Sequence, residues 1–316
     1  MSKDYIAGKF VEVRKLAKTT GLGKTLHKVS LDEAFEALGK EYEAQSKHDG
    51  CSGVVFLHAD DTKPTTVLSR TGEECLSMQM QGRLLRDDFD TVVSKYGPLV
   101  LLTEAWWPGK GEFAEISGAF RKKSEQRPRL MFVVSDILTL EEFNAGKTSV
   151  PYRARMDRGR GVQPKTAAWT WTTRHPPGTY GDPRDLCAKY VRGGGFDGVV
   201  LVDLGAGWVK EEDKSGRKIK VKNELSFALR VKEVKVATGE KTGRDVYTLV
   251  VGFDGRDLGV GSGVPHKVED VPKVGDIVEI VAMDYSSDGL LREPRYKGIR
   301  ADVIKEDRGS HHHHHH

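Results

Sequence analysis

The stretch "YEAQSKHDGCSGVVFLHADD", residues 42–61, decides how the rest of the chain is read. It sets a lysine, Lys47, just ahead of Asp49 and Gly50 and then runs into an apolar segment of strand length, "GVVFLH". A lysine at the end of a strand ordinarily does no more than solvate an edge. A lysine held beside a carboxylate at a turn can instead serve as a nucleophile, provided its surroundings activate it. The remainder of the sequence has to separate these two readings.

Downstream, short apolar runs recur between turn signals: "TTVLS", "PLVLLTEAW", "RLMFVVSDIL" and "FDGVVLVDL". Their valine and leucine content and lengths predict strands of a sheet, with "DDTKPTT" as a hairpin loop between the first two. Upstream, residues 4–46 carry helical spacing in "DYIAGKFVEVRKLAK" and "SLDEAFEALGKEYEAQ"; the second opens with Ser30 and Glu33, a capping-box pattern. The polar stretch "VPYRARMDRGRGVQPK" predicts helix and loop on the surface. Past residue 229 the texture changes to short alternating runs with glycine turns, "ALRVKEVKVA", "DVYTLVVGFDG", "RDLGVGSGV" and "GDIVEIVAMDY". These predict a small all-β barrel of the OB type. The expected division is 1–228, 229–308 and an expression tag over 309–316.

A chain of 316 residues exceeds what one hydrophobic core organises, which agrees with two domains. Hydrophobic residues at 38% and charged residues at 30% belong to a folded globular protein rather than a disordered one. No apolar run approaches the roughly 20 residues of a membrane span, and "MSKDYIAGKF" lacks the apolar centre of a signal peptide. The expectation is a cytoplasmic protein without a membrane partner. The three cysteines, Cys51, Cys75 and Cys187, form no CxxC pair, which speaks against a cysteine-paired zinc site and suits a reducing compartment. A net charge of +4 permits a polyanionic partner without requiring one.

KxDG alone is a weak signal. It gains weight from the motifs that succeed it along the chain: "SRTGEE" with Arg70, "LLTEAW" with Glu104, "FVVSDIL" with Asp136, "FDGVVLVD" with Asp197 and Gly198, "KIKVKNE" with Lys220 and Lys222, and "LREPRYKGIRAD" with Arg292, Arg300 and Asp302. This ordered set, over residues 40–303, resembles the covalent nucleotidyltransferase superfamily of ATP-dependent DNA and RNA ligases and mRNA capping enzymes. "FAEISGAFRKKS", "GVGSGVPHK" and "LREPRYKGIRAD" look like the small phage-type ATP-dependent DNA ligases. The resemblance implies an α+β fold: a nucleotidyltransferase (ATP-grasp-like) domain of antiparallel sheets with flanking helices, followed by an OB-fold.

The same resemblance implies a ligase that seals nicks in duplex DNA through a lysyl-AMP intermediate and a DNA-adenylate. Lys47 is then the nucleophile, and Lys47, Asp49, Arg70, Glu104, Lys220, Lys222, Arg292 and Arg300 are the implied ATP contacts. Asp49, Glu104 and Asp197 are the implied ligands of Mg2+ or Mn2+. The implied partner is nicked duplex DNA, met as a monomer in the cytoplasm, or in the host's if the source is viral. The residue chemistry is consistent with these roles. A free lysine has a pKa near ~10.4 and must be activated, and neighbouring cations, a divalent metal and partial desolvation would each favour the neutral amine. Lys220 and Lys222 alternate with Ile219 and Val221, so a strand puts both on one face, where two cations meet one triphosphate. Carboxylates beside apolar runs, as at Glu104 and Asp197, need a partner or a cation, and the Arg70 guanidinium suits a phosphate.

Four positions depart from the superfamily's commonest pattern: Ser52 where arginine is frequent, Ser135 where an aromatic stacks on adenine, Asp197 where glutamate is usual, and Val202 where a basic residue is common. The tryptophans of "EAWWPG" and "AAWTWTT" are expected to pack, and "RKKSEQRPR" is either a solvated basic face or a phosphate track. Alternatives are an RNA ligase, kept in play by Ser52, an mRNA guanylyltransferase, and an inactive OB-containing nucleic-acid-binding protein. An NAD-dependent ligase is disfavoured because three scattered cysteines cannot form its zinc finger.

Overall fold

The computed structural model describes residues 25–26, 41–70, 72–109, 113–124, 129–210, 217–222, 224–282 and 284–309. The chain divides into two units, Met1–Asn223 and Glu224–His316. In the first, eight strands matter here: β1 (Tyr42–His48), β2 (Cys51–Leu57), β3 (Thr66–Ser69), β4 (Leu99–Trp106), β5 (Met131–Thr139), β6 (Trp169–Trp171), β7 (Phe196–Asp203) and β8 (Lys218–Lys222). They form two five-stranded sheets. One has the order Thr25–Leu26, β8, β7, β1, Arg174–His175, and the other the order β3, β2, β4, β5, β6. Pairing is antiparallel except at β5–β6 and where Thr25–Leu26 meets β8.

The apolar runs of the sequence are these strands, and the hairpin joining β2 to β3 is the expected one. The helical spacing read over residues 30–45 fails at its end, because Tyr42–Gln45 belong to β1. The physical reason is a period of two. Tyr42 and Ala44 pack with Cys187, Val199, Leu201, Ile219 and Val221 beneath the helix Pro183–Gly193, and strand alternation sends Glu43, Gln45 and Lys47 to the opposite face. The helices expected over 4–18 and 30–40 lie outside the described residues. Among the described residues no helix is long and apolar enough to cross a membrane.

The stretch read as surface helix and loop is partly core. In the helix Tyr152–Asp157, Tyr152, Arg155 and Met156 are buried. The cause is Asp136, fully buried on β5, whose carboxylate takes Arg155 Nε at 2.9 Å and Nη2 at 3.0 Å. The Arg155 guanidinium also donates to the carbonyls of Val150 and Ala206, at 2.7 and 3.0 Å. An arginine among charged neighbours looks solvated in a sequence, yet here it neutralises a buried carboxylate and ties three segments together.

The second unit is a five-stranded antiparallel sheet: β9 (Leu225–Thr238), β10 (Asp245–Phe253), β11 (Arg256–Val260), β12 (Ile277–Ala282) and β13 (Arg295–Ile299), in the order β11, β10, β9, β12, β13. A parallel bridge between Ser262 and Arg295 links its two edges, which makes it the closed Greek-key barrel of an OB-fold. Leu229, Val231, Leu249, Val251, Phe253, Val260, Val278 and Ile280 fill it.

Replacing Arg155 by methionine would leave Asp136 as a buried, uncompensated charge. The expected loss of stability is about 3–5 kcal/mol, measured as a shift in the urea unfolding midpoint; a midpoint equal to wild type would refute a structural role for the pair.

Candidate active site

Lys47 stands at the end of β1, and its strand register explains its neighbours. Gly198 on β7 lies opposite Lys47 on one side and Lys222 of β8 on the other. Paired residues in a ladder project to the same face, so Lys47 and Lys222 flank a position with no side chain of its own. A β-bulge between Phe196 and Gly198 interrupts this register, and bulges re-aim side chains. The re-aimed side chain is Asp197. Lys47 Nζ donates to both of its oxygens at 3.1 Å, and Lys222 Nζ stands 3.6 Å from Oδ2. The carboxylate that holds Lys47 is therefore 150 residues away in sequence, rather than the adjacent Asp49.

Two glycines make this approach possible. A Cβ on Gly198, at φ +146°, would sit 2.0 Å from the Val221 carbonyl oxygen, and one on Gly50 would sit 2.1 Å from that of Ala105. Any side chain at Gly50 would push the turn after Lys47 off β4, the strand that carries Glu104. Glu104 pairs in register with Ser52 of β2, and the ideal Cβ of Gly50 would be 3.3 Å from the Glu104 Cγ. Asp197 holds the ammonium group directly, and Glu104 and Asp49 act on it through their charge. Burial alone would lower the pKa of Lys47; Asp197 first, then Glu104 and Asp49, outweigh it and raise the pKa above the ordinary lysine value. The sequence led to the opposite expectation, an environment favouring the neutral amine. The charge count explains the reversal, because the carboxylates acting on Lys47 outnumber the cations beside it.

Lys220 pairs with Val200, one ladder step from Lys222 and on the same face, with Gln45 of β1 on the far side of Val200. Arg70 is half-buried in the turn one residue beyond Ser69, which pairs with Gly53 of β2. This puts Arg70 at the sheet end where Ser52 and Glu104 face each other. Arg292 and Arg300 lie in the second unit. There the Arg300 guanidinium bonds Glu279 at 2.6 Å and Asp302 at 2.8 and 2.9 Å, while Arg292 is exposed in a two-residue strand.

The departures also have structural counterparts. Ser135 Oγ donates to the Leu102 carbonyl at 3.3 Å, and Phe132 is fully buried in the core, so neither offers an aromatic face to a base. Val202 packs with Phe132, Val134 and Ile137. Of the four tryptophans singled out as packing residues, Trp169 is buried against Phe89 and Trp171. In the basic stretch, Arg121 turns back to the Ser117 carbonyl at 3.2 Å, and residues 125–128 lie outside the described residues.

One network escaped the sequence reading. Gln45 Nε2 donates to Glu43 Oε2 at 2.8 Å and to the Tyr152 hydroxyl at 2.7 Å; Arg174 Nε reaches the same Glu43 oxygen at 2.8 Å, and Tyr152 donates to the Ser135 carbonyl at 2.6 Å. It lines the face that Lys47 shares. Reading residues 42–48 with a period of two would have exposed Glu43 and Gln45 beside Lys47. His48 turns away from this face and packs edge-on against Trp106 and Phe196, with ring centroids at 4.7 and 4.9 Å. Burial pushes its pKa down to about 4, so it is neutral at physiological pH.

No protein-family model matches the chain, and no curated protein matches it in sequence. Solved structures do match in fold. A chain named Pmar-Lig_Pre aligns over 89% of this chain and 67% of its own, at 22% identity and TM-score 0.51. The ATP-dependent DNA ligase from bacteriophage T7 in complex with ATP aligns over 88% of this chain and 97% of its own, at 17% identity and TM-score 0.50. The mycobacterial DNA ligase D complexed with ATP and MES aligns over 85% and 91%, at 15% identity and TM-score 0.52. At these identities the likeness is one of fold alone. That fold is one this chain shares with solved ATP-dependent DNA ligases.

The neutral, buried His48 gives the unit a defined acid sensitivity. Its folded pKa of about 4 lies below the unfolded value of 6.5, so the unfolded chain takes up the proton first as pH falls. The group is neutral in both states well above pH 6.5 and costs nothing there, and a penalty develops as pH falls from 6.5 to 4. Urea titrations at pH 7 and pH 4 should show wild type losing up to about 3 kcal/mol more than His48→Phe; equal losses would show that the imidazole is not held neutral.

Proposed function

We propose that this chain is an ATP-dependent DNA ligase that seals nicks in duplex DNA, with Lys47 as the adenylylated nucleophile. The observation that carries the reading is the contact of Lys47 Nζ with both Asp197 oxygens at 3.1 Å, with Lys222 beside the same carboxylate, in a chain with the fold of ATP-dependent DNA ligases. A KxDG turn that merely solvated an edge would not be locked to a bulged aspartate between two lysines.

The chemistry rests on these side chains. The Lys47 amine attacks the α-phosphorus of ATP, a phosphoramidate N–P bond forms, and the bond to the bridging oxygen breaks as pyrophosphate leaves. The ammonium must first lose a proton, and the Asp197 carboxylate is the acceptor within hydrogen-bond reach. Lys220 and Lys222 present positive charge from one face to the phosphates, where transferring phosphoryl groups gain most of their stabilisation. AMP then passes from Lys47 to the 5′-phosphate of the nick, and the adjoining 3′-hydroxyl displaces it to close the strand. Gln45, buried and held by Glu43 and Tyr152, borders the same face, and Arg70 at the sheet end suits a phosphate oxygen.

A divalent cation, Mg2+ or Mn2+, fits this donor set in one way. Among the described residues no group of three or more His, Cys, Asp or Glu side chains converges to cage an ion. Asp49, Glu104 and Asp197 instead offer single carboxylates around the nucleophile, which suits a cation that arrives with phosphate and water and takes one or two protein ligands. Such an ion would offset the carboxylate charge that raises the pKa of Lys47 and would polarise the phosphate oxygens.

The test is sealing of a singly nicked DNA duplex with ATP and Mg2+, alongside an all-RNA nicked duplex and Lys47→Ala. Wild type is expected to seal DNA and to gain AMP by intact mass, and Lys47→Ala to do neither while keeping its fold. Sealing of the RNA duplex alone would make the chain an RNA ligase, and an AMP adduct on Lys47→Ala would remove the nucleophile assignment. Asp197→Asn keeps the shape of the side chain without its basicity, and its adenylylation rate should fall about a hundredfold or more; an unchanged rate would take the proton-accepting role from Asp197.

A further inference from the structure

The Gly195 carbonyl oxygen accepts two hydrogen bonds, from the Asp49 backbone N–H at 3.1 Å and from the Trp106 indole Nε1–H at 2.9 Å. Each of these three residues lies two positions from a candidate site residue: Gly195 from Asp197, Asp49 from Lys47, and Trp106 from Glu104. One oxygen therefore ties together the three segments that carry the nucleophile, its carboxylate partner and the second carboxylate. Gly195 sits at φ +81°, a left-handed conformation that glycine adopts readily, and its ideal Cβ would be 3.1 Å from the Trp106 ring. The indole is gripped in turn by the residues beside the reacting pair, His48 at 4.7 Å and Phe196 at 5.4 Å between ring centroids.

We infer that Trp106 is a positioning residue for adenylyl transfer: its indole N–H, by holding the Gly195 carbonyl, sets Asp197 and the Lys47 turn in register with each other. The inference rests on the proposed role of Lys47. The bulge between Phe196 and Gly198 interrupts the regular ladder where Asp197 emerges, so the ladder alone does not fix how far that carboxylate projects towards Lys47. The indole tether does so from the other sheet, through β4. Packing alone does not call for it, because a phenylalanine would fill most of the same apolar space. The donor is what tryptophan adds.

The experiment compares wild type, Trp106→Phe and Trp107→Phe, the last altering the neighbouring ring that packs under Arg129. Single-turnover formation of protein–AMP is monitored by intact mass over a range of ATP concentrations, with the melting temperature of each protein. For Trp106→Phe the maximal rate is expected to fall about tenfold or more, with the half-saturating ATP concentration, the final amplitude and the melting temperature close to wild type. Trp107→Phe should match wild type throughout. Three results with an active wild type would overturn the inference alone: a wild-type maximal rate in Trp106→Phe, a change confined to half-saturation, or a loss of amplitude that tracks a loss of melting temperature. Wild-type protein that forms no AMP adduct would overturn the nucleophile assignment, and this inference with it.

Discussion

The bond between Lys47 and Asp197 organises the site, and most of the surrounding architecture serves to make that bond possible. It joins two strands of one sheet across a row whose middle residue, Gly198, has no side chain. Gly198 lets the backbone pass within contact of the Val221 carbonyl, and the bulge before it turns Asp197 into the row. Gly50 lets the turn after Lys47 rest on β4, so that Glu104 closes the site from the second sheet. The requirement is electrostatic: an ammonium group that is only about one-fifth exposed must be matched by carboxylates, and a carboxylate between apolar strands must be matched by cations.

The charge balance also points to how such a site would work. With three carboxylates around Lys47 and Lys222 as the second cation on Asp197, the resting state favours the protonated, unreactive amine. A divalent cation bound beside these carboxylates would shift that balance towards the neutral amine, whereas the negative charge of a nucleotide would not, so reactivity would depend on cation occupancy. The same proximity that stores the lysine as an ammonium also supplies an acceptor for its proton. Coupling reactivity to binding in this way needs no moving part inside the first unit.

Two other charge clusters among the described residues are satisfied within their own units. Asp136 and Arg155 are both essentially excluded from solvent and bond each other, with backbone carbonyls taking further donors of Arg155 and the Ile137 N–H donating to Asp136. Arg300 is shared between Glu279 and Asp302 within the OB barrel, and Ser226 completes the bonding of Glu279. The Lys47 pair is reachable from solvent, as the Arg300–Asp302 pair also is, and differs in having further lysines on the same face. A group destined to meet a ligand must remain reachable, whereas a group that pins helices to a sheet is best left dry.

Much of this was legible in the sequence because it is local. Strand periodicity comes from alternating side chains, glycine turns from backbone sterics, and the shared face of Lys220 and Lys222 from a period of two. The ordered motifs named Lys47, Glu104 and Asp197 together, and the OB barrel was visible in the short alternating runs after residue 229. What went unread is non-local. Nothing near Lys47 says that its partner is Asp197 rather than Asp49, and nothing near Arg155 says that a carboxylate on another strand will bury it. The helical reading of Tyr42–Gln45 failed for a related reason: a short window fits both periods, and only the helix packed on one face decided for two. Sequence determines which residues can take an element and which carry chemistry, because both depend on near neighbours. Register, bulges and buried ion pairs are set by contacts between segments far apart in the chain, so only the tertiary structure could decide them.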